Sequence, residues 1–277
     1  MQGEYLVRGI VIATNTGLGD QIIMNGAVRY LAECYDQVWF VTWENRKKHA
    51  EFLYKDRPNI EIYIKPSIKS AKQGVMRMES AYNEIVEANP EYHIEPYNRC
   101  FWTYQHHWAK FAEEAGLADD VIFPRIFYNI IGVPYERRYR HQKIHRDFKK
   151  EAELFQRLNI NERFVFVCDD SRSSKYNIQV ESGKRIINPA DVPWMKDTLI
   201  YDWQTVMECA DEIHTVNTCW FHLARTLRLE IPKFYYAARE VRFCEQNMEF
   251  LNDEWDQGWE LVTGKWTKRD KKNWWLN

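Results

Sequence analysis

The sequence predicts an α/β protein in two halves. Short β-prone runs alternate with helical periods, the alternation breaks and restarts near residue 150, and polar loops rich in glycine or serine follow three of the β-prone runs. Leu6–Ala13 reads as a first strand. Gly19–Cys34 reads as a helix, with apolar positions Ile22, Ile23, Ala27 and Leu31 at helical spacing. A strand over Val38–Thr42, a helix near Arg46–Tyr54 and a strand over Ile60–Ile64 follow. A long helix over Ser67–Ala88 is ended by Asn89-Pro90. An extended piece over Tyr92–Ile94, a helix from about His106 to Ala115 and the stretch Ile126–Gly132 complete the first half. The basic segment then leads into a helix reaching about Leu158.

The second half restarts with strands over Phe164–Cys168, Thr198–Tyr201, Ile213–Val216 and Lys233–Tyr236, and helices near Trp203–Cys209 and Trp220–Leu227. The resulting organisation is 1–135, a basic linker 136–150, a second half 151–240, and a tail 241–277. The tail is expected to form a helix that either returns to the first half or covers the second half's own sheet. No short internal repeat is visible, which argues against a solenoid or propeller.

The chain has 277 residues, 45% hydrophobic and 28% charged, enough to bury a core and unlike disorder, collagen or a pure coiled coil. No apolar run approaches the roughly 18 residues that span a bilayer, and Met1–Arg8 lacks the pattern of a secretion signal. Cys34, Cys100, Cys168, Cys209, Cys219 and Cys244 are scattered, with no C-x-x-C pair and no zinc spacing. These features point to a cytoplasmic protein with reduced thiols and no metal centre.

Net charge is −2 but unevenly spread: residues 136–150 hold seven Lys/Arg against two acids, and the tail from Lys265 holds five against one, interleaved with Trp266, Trp274 and Trp275. Such stretches are read as solvated linker and terminus, or as the footprint of a phosphate-rich partner.

Three loops sit where open α/β sheets hold ligands, just after a strand and before or within the next helix. The first is Asn15-Thr16-Gly17-Leu18-Gly19-Asp20, the second Asp169-Asp170-Ser171-Arg172-Ser173-Ser174-Lys175, the third Asn217-Thr218-Cys219-Trp220-Phe221-His222. The first comes from one half and the others from the second, so a ligand in a cleft between halves could touch all three. From Gly17 the first loop runs Gly-Leu-Gly-Asp-Gln-Ile, failing the dinucleotide fingerprint at Ile22, and no Lys-Ser/Thr follows in Walker spacing. What remains is a glycine turn opening a helix. Asp20 is either a first-turn acid complementing the helix dipole or a general base. Arg172 and Lys175, with the hydroxyls of Ser171, Ser173 and Ser174, offer the donors a diphosphate needs, or form a polar surface loop. Adjacent Asp169 and Asp170 suit a strand-end cap better than a metal. Asn217 and Thr218 can cap a helix that carries His222, leaving backbone N–H groups for a phosphate; the alternative for His222 is a packed core histidine.

These residues resemble a family. Thr16-Gly-Leu-Gly-Asp-Gln-Ile-Ile-Met-Asn-Gly-Ala-Val-Arg-Tyr-Leu resembles the amino-terminal signature of heptosyltransferase-like glycosyltransferases. The segment from Trp203 through Ala210-Asp-Glu-Ile-His-Thr-Val-Asn-Thr218 to His222-Leu-Ala-Arg225 resembles their donor-binding signature. Phe164-Val-Phe-Val-Cys-Asp-Asp-Ser-Arg-Ser-Ser-Lys175 is similar to the middle strand and phosphate loop of related phage and bacterial glycosyltransferases.

The resemblance implies a GT-B fold, two Rossmann-like α/β/α halves facing each other across a cleft. It implies an inverting, metal-independent sugar transfer from a nucleotide-sugar, which serves as substrate, so that no separate cofactor is expected. By resemblance, Asp20 matches the base, Lys175 the phosphate-contacting lysine, and Asn217, Thr218 and His222 the donor loop. Thr16, Gly17, Gly19, Arg172, Ser173, Ser174 and Cys219 complete the expected donor set. The family's usual Asp-Thr-Gly or Ser-Gly is replaced here by Asn217-Thr218-Cys219, and the chain is shorter than typical members.

The expected acceptor is a surface glycan or polysaccharide. A phage-type DNA glycosyltransferase would need basic residues near its cleft, and the net charge does not favour that nucleic-acid acceptor. The other classes are a noncatalytic nucleotide- or sugar-binding module, which would tolerate loss of Asp20, and an oxidoreductase or methyltransferase, for which the glycine pattern and the remaining motifs give no support.

Overall fold

The computed structural model describes residues 7–14, 17–67, 71–96, 101–102, 123–170, 175–237, 255, 257–264 and 266–269. The chain divides into two compact units, Met1–Lys143 and Ile144–Asn277, each built on its own parallel sheet.

In the first unit, β1 (Val7–Thr14), β2 (Gln37–Trp43), β3 (Ile60–Lys65), β4 (Tyr92–Ile94) and β5 (Phe101–Trp102) form one sheet in the order β3-β2-β1-β4. Every pairing is parallel. The short β4 and β5 share one side of β1, β4 against Val7–Gly9 and β5 against Ala13–Thr14. Ile10–Ala13 and Val38–Val41 are buried, as expected for continuous apolar strands covered on both faces. The helices described here are α1 (Leu18–Cys34), α2 (Lys47–Tyr54), α3 (Ala71–Ala88), α4 (Phe123–Ile130) and α5 (Arg137–His141). Because the chain moves outward from β1 through β2 and β3, then returns to its other side, the loop after β1 lies at the switch point of this sheet.

Helix α1 is buried on more than its apolar stripe: Gln21, Asn25 and Arg29, one turn apart, are at most 2% exposed. They tolerate burial because α4, α5 and the segment after α5 cover them. Tyr128 donates to the Ile23 carbonyl at 3.0 Å, the Gln142 amide to the Ile22 carbonyl at 3.1 Å, and the Lys143 N–H to Asn25 Oδ1 at 2.8 Å. Gly26 is what lets α5 approach, since a Cβ there would stand 2.2 Å from the Arg138 carbonyl oxygen.

The basic stretch 136–150 is therefore not a solvated linker throughout. The boundary between units falls inside it, Arg138 is 3% exposed, and the Arg137 guanidinium lies 5.0 Å from the Tyr30 ring centroid. His141 pairs with Glu33 and Lys143 with Asp56. Beyond the boundary, Arg146 binds Glu151 and Glu208, and Asp147 caps the next helix by accepting the Lys150 N–H.

The second unit carries α6 (Phe148–Arg157), α7 (Gln204–Glu208) and α8 (Cys219–Leu227). Its sheet comprises β6 (Phe164–Cys168), β8 (Arg185–Ile187), β9 (Ile213–Thr215), β10 (Lys233–Tyr236) and β11 (Trp259–Val262), all parallel in the order β11-β10-β9-β6-β8. The short β7 (Lys175–Ile178) pairs antiparallel with β12 (Trp266–Arg269) in a separate two-stranded sheet.

Two expectations are corrected here. Thr198–Tyr201 is not a strand: Ile200–Trp203 is a 3-10 turn, its start held by the Asp202 carboxylate accepting the Leu199 N–H at 2.8 Å, while Trp203 donates to Thr198 Oγ1 at 3.0 Å. Local side-chain capping overrides the β propensity of Thr-Leu-Ile-Tyr. The carboxy-terminal helix expected over 241–277 does not extend through Trp259–Val262 or Trp266–Arg269, which are β11 and β12, paired with strands of the second unit; residues 241–254, where most of that helix was expected, lie outside the described residues. The helix expected near His106–Ala115 lies outside the described residues.

Candidate functional site

In the first unit, the turn after β1 leads directly into α1. Gly17 is the N-cap residue, with φ −71° and ψ 170°, and its N–H donates to Asp20 Oδ2 at 2.6 Å. One oxygen of Asp20 therefore serves the helix cap, and this contact fixes the carboxylate at the carboxyl end of the first sheet. Gly19 is half-buried in the same turn, and Thr16 lies outside the described residues. Next along the helix, the Gln21 amide donates to Thr42 Oγ1 at 2.6 Å, tying the start of α1 to β2.

An open cavity of about 530 Å³ lies near the other end of α1, lined by Arg29, Glu33, Asp56, Arg57 and Lys143 among others. Its charges answer one another: Arg29 grips Asp56 at 2.6 Å, Lys143 joins it at 2.7 Å, and Arg57 meets Glu33 at 2.7 Å. These pairs anchor the basic segment to α1 and use Lys143, one of the cations of the stretch 136–150 that the sequence left available for a phosphate-rich partner.

In the second unit, the loops after β6 and β9 converge, because the chain leaves β6 to either side and the switch point falls between these two strands. Cys168 ends β6, and its Sγ is 3.6 Å from Thr218 Oγ1, at the N-cap of α8. Burial pushes the Cys168 thiol up, so it stays protonated and is a packing group rather than a nucleophile. Thr218 is the N-cap residue and extended (φ −146°, ψ 177°), but its side chain makes no capping hydrogen bond, so the side-chain cap expected there is not made; its carbonyl accepts the first helical bond, from the His222 N–H at 3.3 Å. The amino end of α8 thus presents its positive dipole end beside the end of β6.

Asp169 is 8% exposed and accepts from the Asn188 amide at 2.8 Å, while Asn188 Oδ1 accepts the Ala190 N–H. It links the ends of β6 and β8, the structural role read from the sequence. Asn188 itself gives no sequence signal, since a single Asn before Pro189 reads only as a turn. The Tyr176 N–H donates to the Asp169 carbonyl at 2.8 Å, so β7 starts against the end of β6. Lys175 is the first residue of β7; its side chain, and Ser171, Arg172, Ser173 and Ser174 entirely, lie outside the described residues.

Asn217 and Cys219 are half-buried, and His222 is 8% exposed with its ring 5.1 Å from that of Phe221. His214, within the same signature, is a packing residue. It stacks on Phe234 at 4.6 Å, its Nδ1 lies 3.0 Å from the Tyr236 hydroxyl, and burial lowers its pKa against the opposing pull of Glu212. The structure thus brings Cys168, Asp169, Thr218 and the start of β7 together, and separately holds Asp20 at the head of α1. Among the described residues, no group of three or more His, Cys, Asp or Glu is arranged to hold a metal ion, and no helix is long and apolar enough to cross a membrane.

No protein-family model and no curated protein matches the sequence. Solved structures do. The glycosyl transferase family 9 structure from Veillonella parvula DSM 2008 matches with a TM-score of 0.52 over 95% of this chain and 87% of that one, at 10% identity. The chain has a GT-B fold. Escherichia coli ADP-heptose LPS heptosyltransferase II is also found, at a TM-score of 0.49, 9% identity and coverage of 92% and 90%. E. coli heptosyltransferase WaaC with ADP-2-deoxy-2-fluoro heptose follows at 0.42, 10% identity and 92% of each chain. The resemblance read from the three sequence stretches thus holds at the level of fold.

Proposed function

We propose that this protein is a cytoplasmic glycosyltransferase that moves a sugar from a nucleotide-sugar to an acceptor hydroxyl, with inversion and without a metal ion. The observation that carries the reading is at the switch point of the second sheet. There the amino end of α8, uncapped by the Thr218 side chain, stands beside the end of β6 and the start of β7 within a GT-B fold. A helix terminus of this kind suits the charge that develops on a leaving diphosphate.

The chemistry divides simply. The acceptor oxygen forms a bond to the anomeric carbon as the bond from that carbon to the diphosphate oxygen breaks, and the diphosphate leaves with the electron pair. Asp20 takes the acceptor's proton, its carboxylate held in place by the Gly17 N–H. Lys175, Arg172, the hydroxyls of Ser173 and Ser174, and the Asn217–His222 segment hold the diphosphate. The proposed acceptor is a surface glycan or polysaccharide.

The test is a transfer assay in chelator, offering a panel of nucleotide-sugars with glycan acceptors and, separately, duplex DNA carrying hydroxymethylated bases. Nucleoside diphosphate release with sugar on a glycan of inverted anomeric configuration is expected. Transfer to DNA alone would move the acceptor assignment to nucleic acid. Binding of nucleotide-sugars with no transfer to any acceptor would favour a noncatalytic module.

A further inference from the structure

The open cavity beside α1 holds more cations than its ion pairs use. Its volume, about 530 Å³, falls in the range of small-molecule sites, about 300–1,000 Å³, and it has no part in the roles proposed above. Glu33 on its wall follows Asp20 by thirteen residues of α1, so the cavity lies about 20 Å along that helix from the proposed base, away from the carboxyl ends of the first sheet's strands. Pro58 is the one apolar residue among the described residues that line it, so what it takes is hydrophilic.

Four permanent cations line the cavity, Arg29, Arg57, Arg140 and Lys143, against two carboxylates, Glu33 and Asp56. Asp56 is already answered by Arg29, whose nearly fully buried guanidinium meets both carboxylate oxygens at 2.6–2.9 Å. Lys143, more than half exposed, is a second cation on that same carboxylate, at 2.7 Å. Glu33 is shared in the same way, between Arg57 at 2.7 Å and His141 Nε2 at 3.2 Å. Arg140 is exposed, and its guanidinium has no hydrogen bond, ion pair or ring contact among the described residues. Two positive charges, those of Arg140 and Lys143, are therefore left over on the solvent side of the cavity. The carbonyl end of α1 does not account for them, since the Asn59 amide donates to the Ala32 and Tyr35 carbonyls at 2.7 and 3.2 Å and answers that end from the wall.

We propose that this cavity is a binding site for a phosphate dianion, free or carried by a small polar molecule, with Arg140 and Lys143 as its main contacts and Arg57 beside them. A phosphate monoester carries about −1.5 to −2 charge at pH 7 and three acceptor oxygens, which matches two surplus cations and their N–H donors. The site is separate from Asp20 and stands whether or not the transfer reading holds.

The test follows the ring signal of His141 by NMR of the full chain at fixed pH and ionic strength, because that ring stands in the cavity against Glu33; the signal is assigned by its loss in His141→Gln. Inorganic phosphate, glucose 6-phosphate and glucose are titrated into the wild type, Arg140→Ala, the double variant Arg140→Ala/Lys143→Ala, and Lys47→Ala, whose exposed ammonium pairs with Glu51 on α2. A saturable shift with both phosphates and none with glucose is expected. The double variant should weaken it about tenfold, the sum of two partly exposed charge contacts, Arg140→Ala by less, and Lys47→Ala not at all. Tighter binding of glucose 6-phosphate would mark the ligand as a phosphate ester, and equal binding as the free ion. No shift with either phosphate, or a shift of unchanged affinity in the double variant, overturns the inference. If in addition the double variant unfolds at a lower temperature than the wild type without ligand, the two cations serve the carbonyl end of α1 instead.

Discussion

Replacing Gly26 with alanine sets a helix preference against a close contact, and the structure decides the sign. In an open helix the change would stabilise by about 1 kcal/mol. Here the new Cβ would stand 2.2 Å from the Arg138 carbonyl oxygen, with the Arg138 carbonyl carbon and Cα at 2.9 Å, all backbone atoms that no rotamer change can move aside. Helix α5 must therefore shift by about 1 Å to reach ordinary contact. That strain costs about 1–3 kcal/mol. The shift also loosens the Gln142 bond to the Ile22 carbonyl and the Lys143 bond to Asn25, each of about 1 kcal/mol. The net loss is about 2–4 kcal/mol, or roughly 5–12 °C in the unfolding midpoint of the first unit. Differential scanning calorimetry checks it, with Gly183→Ala as control, since a Cβ at Gly183 meets nothing within 4 Å and should shift stability by no more than about 1 kcal/mol. A Gly26→Ala protein that unfolds at the wild-type temperature or above would refute the packing account of α1 and α5.

Three further outcomes are expected. Asp20→Asn keeps an oxygen for the Gly17 N–H, so the fold and donor affinity should persist while kcat for transfer falls by about 10²–10⁴-fold; retained turnover would remove Asp20 as the base. Burial alone would raise the Glu151 carboxyl, but hydrogen bonds from Arg146 and Thr205 outweigh it and hold the carboxyl below its usual range. The unfolded chain therefore takes up this proton first, and the stability it supplies is present above the ordinary glutamate pKa and is lost as pH falls through the lower folded value. Glu151→Gln should destabilise at pH 7 by about 2–4 kcal/mol and flatten the loss of stability that urea titrations of the wild type show as pH falls below the ordinary glutamate range. Asn188→Ala leaves the nearly buried Asp169 carboxylate without its amide donor, so the urea midpoint of the second unit should fall by the equivalent of about 1.5–3 kcal/mol.

Much of this architecture is legible in the residues. The continuous apolar runs Ile10–Ala13, Val38–Val41 and Phe164–Cys168 are buried strands of parallel sheets, α1 and α8 start within a residue or so of where helical spacing places them, and α6 ends within a residue of Leu158. What was hidden depends on partners far along the chain. Arg138 reads as one more cation in a basic stretch, and only the covering of α1 explains its burial. Thr198–Tyr201 has strand composition, but Asp202 closes it into a turn. The short β8 and the polar β12 become strands through β6 and β7 rather than through their own patterns. At the site, the spacing Gly17–Asp20 left a cap and a base both open. The cap is visible in the hydrogen bond, while the base is a matter for kinetics.

The most direct test of the central claim is ligand-induced stabilisation of the wild-type chain in chelator by nucleoside diphosphates and nucleotide-sugars, with NAD and S-adenosylmethionine as controls. A ligand at about 100 times its dissociation constant adds about 2.7 kcal/mol, enough for a midpoint shift of several degrees. The account predicts that one family of nucleoside diphosphates and its sugars produces that shift without added metal. Silence from every nucleoside diphosphate and nucleotide-sugar, with a response to NAD or S-adenosylmethionine, would contradict it.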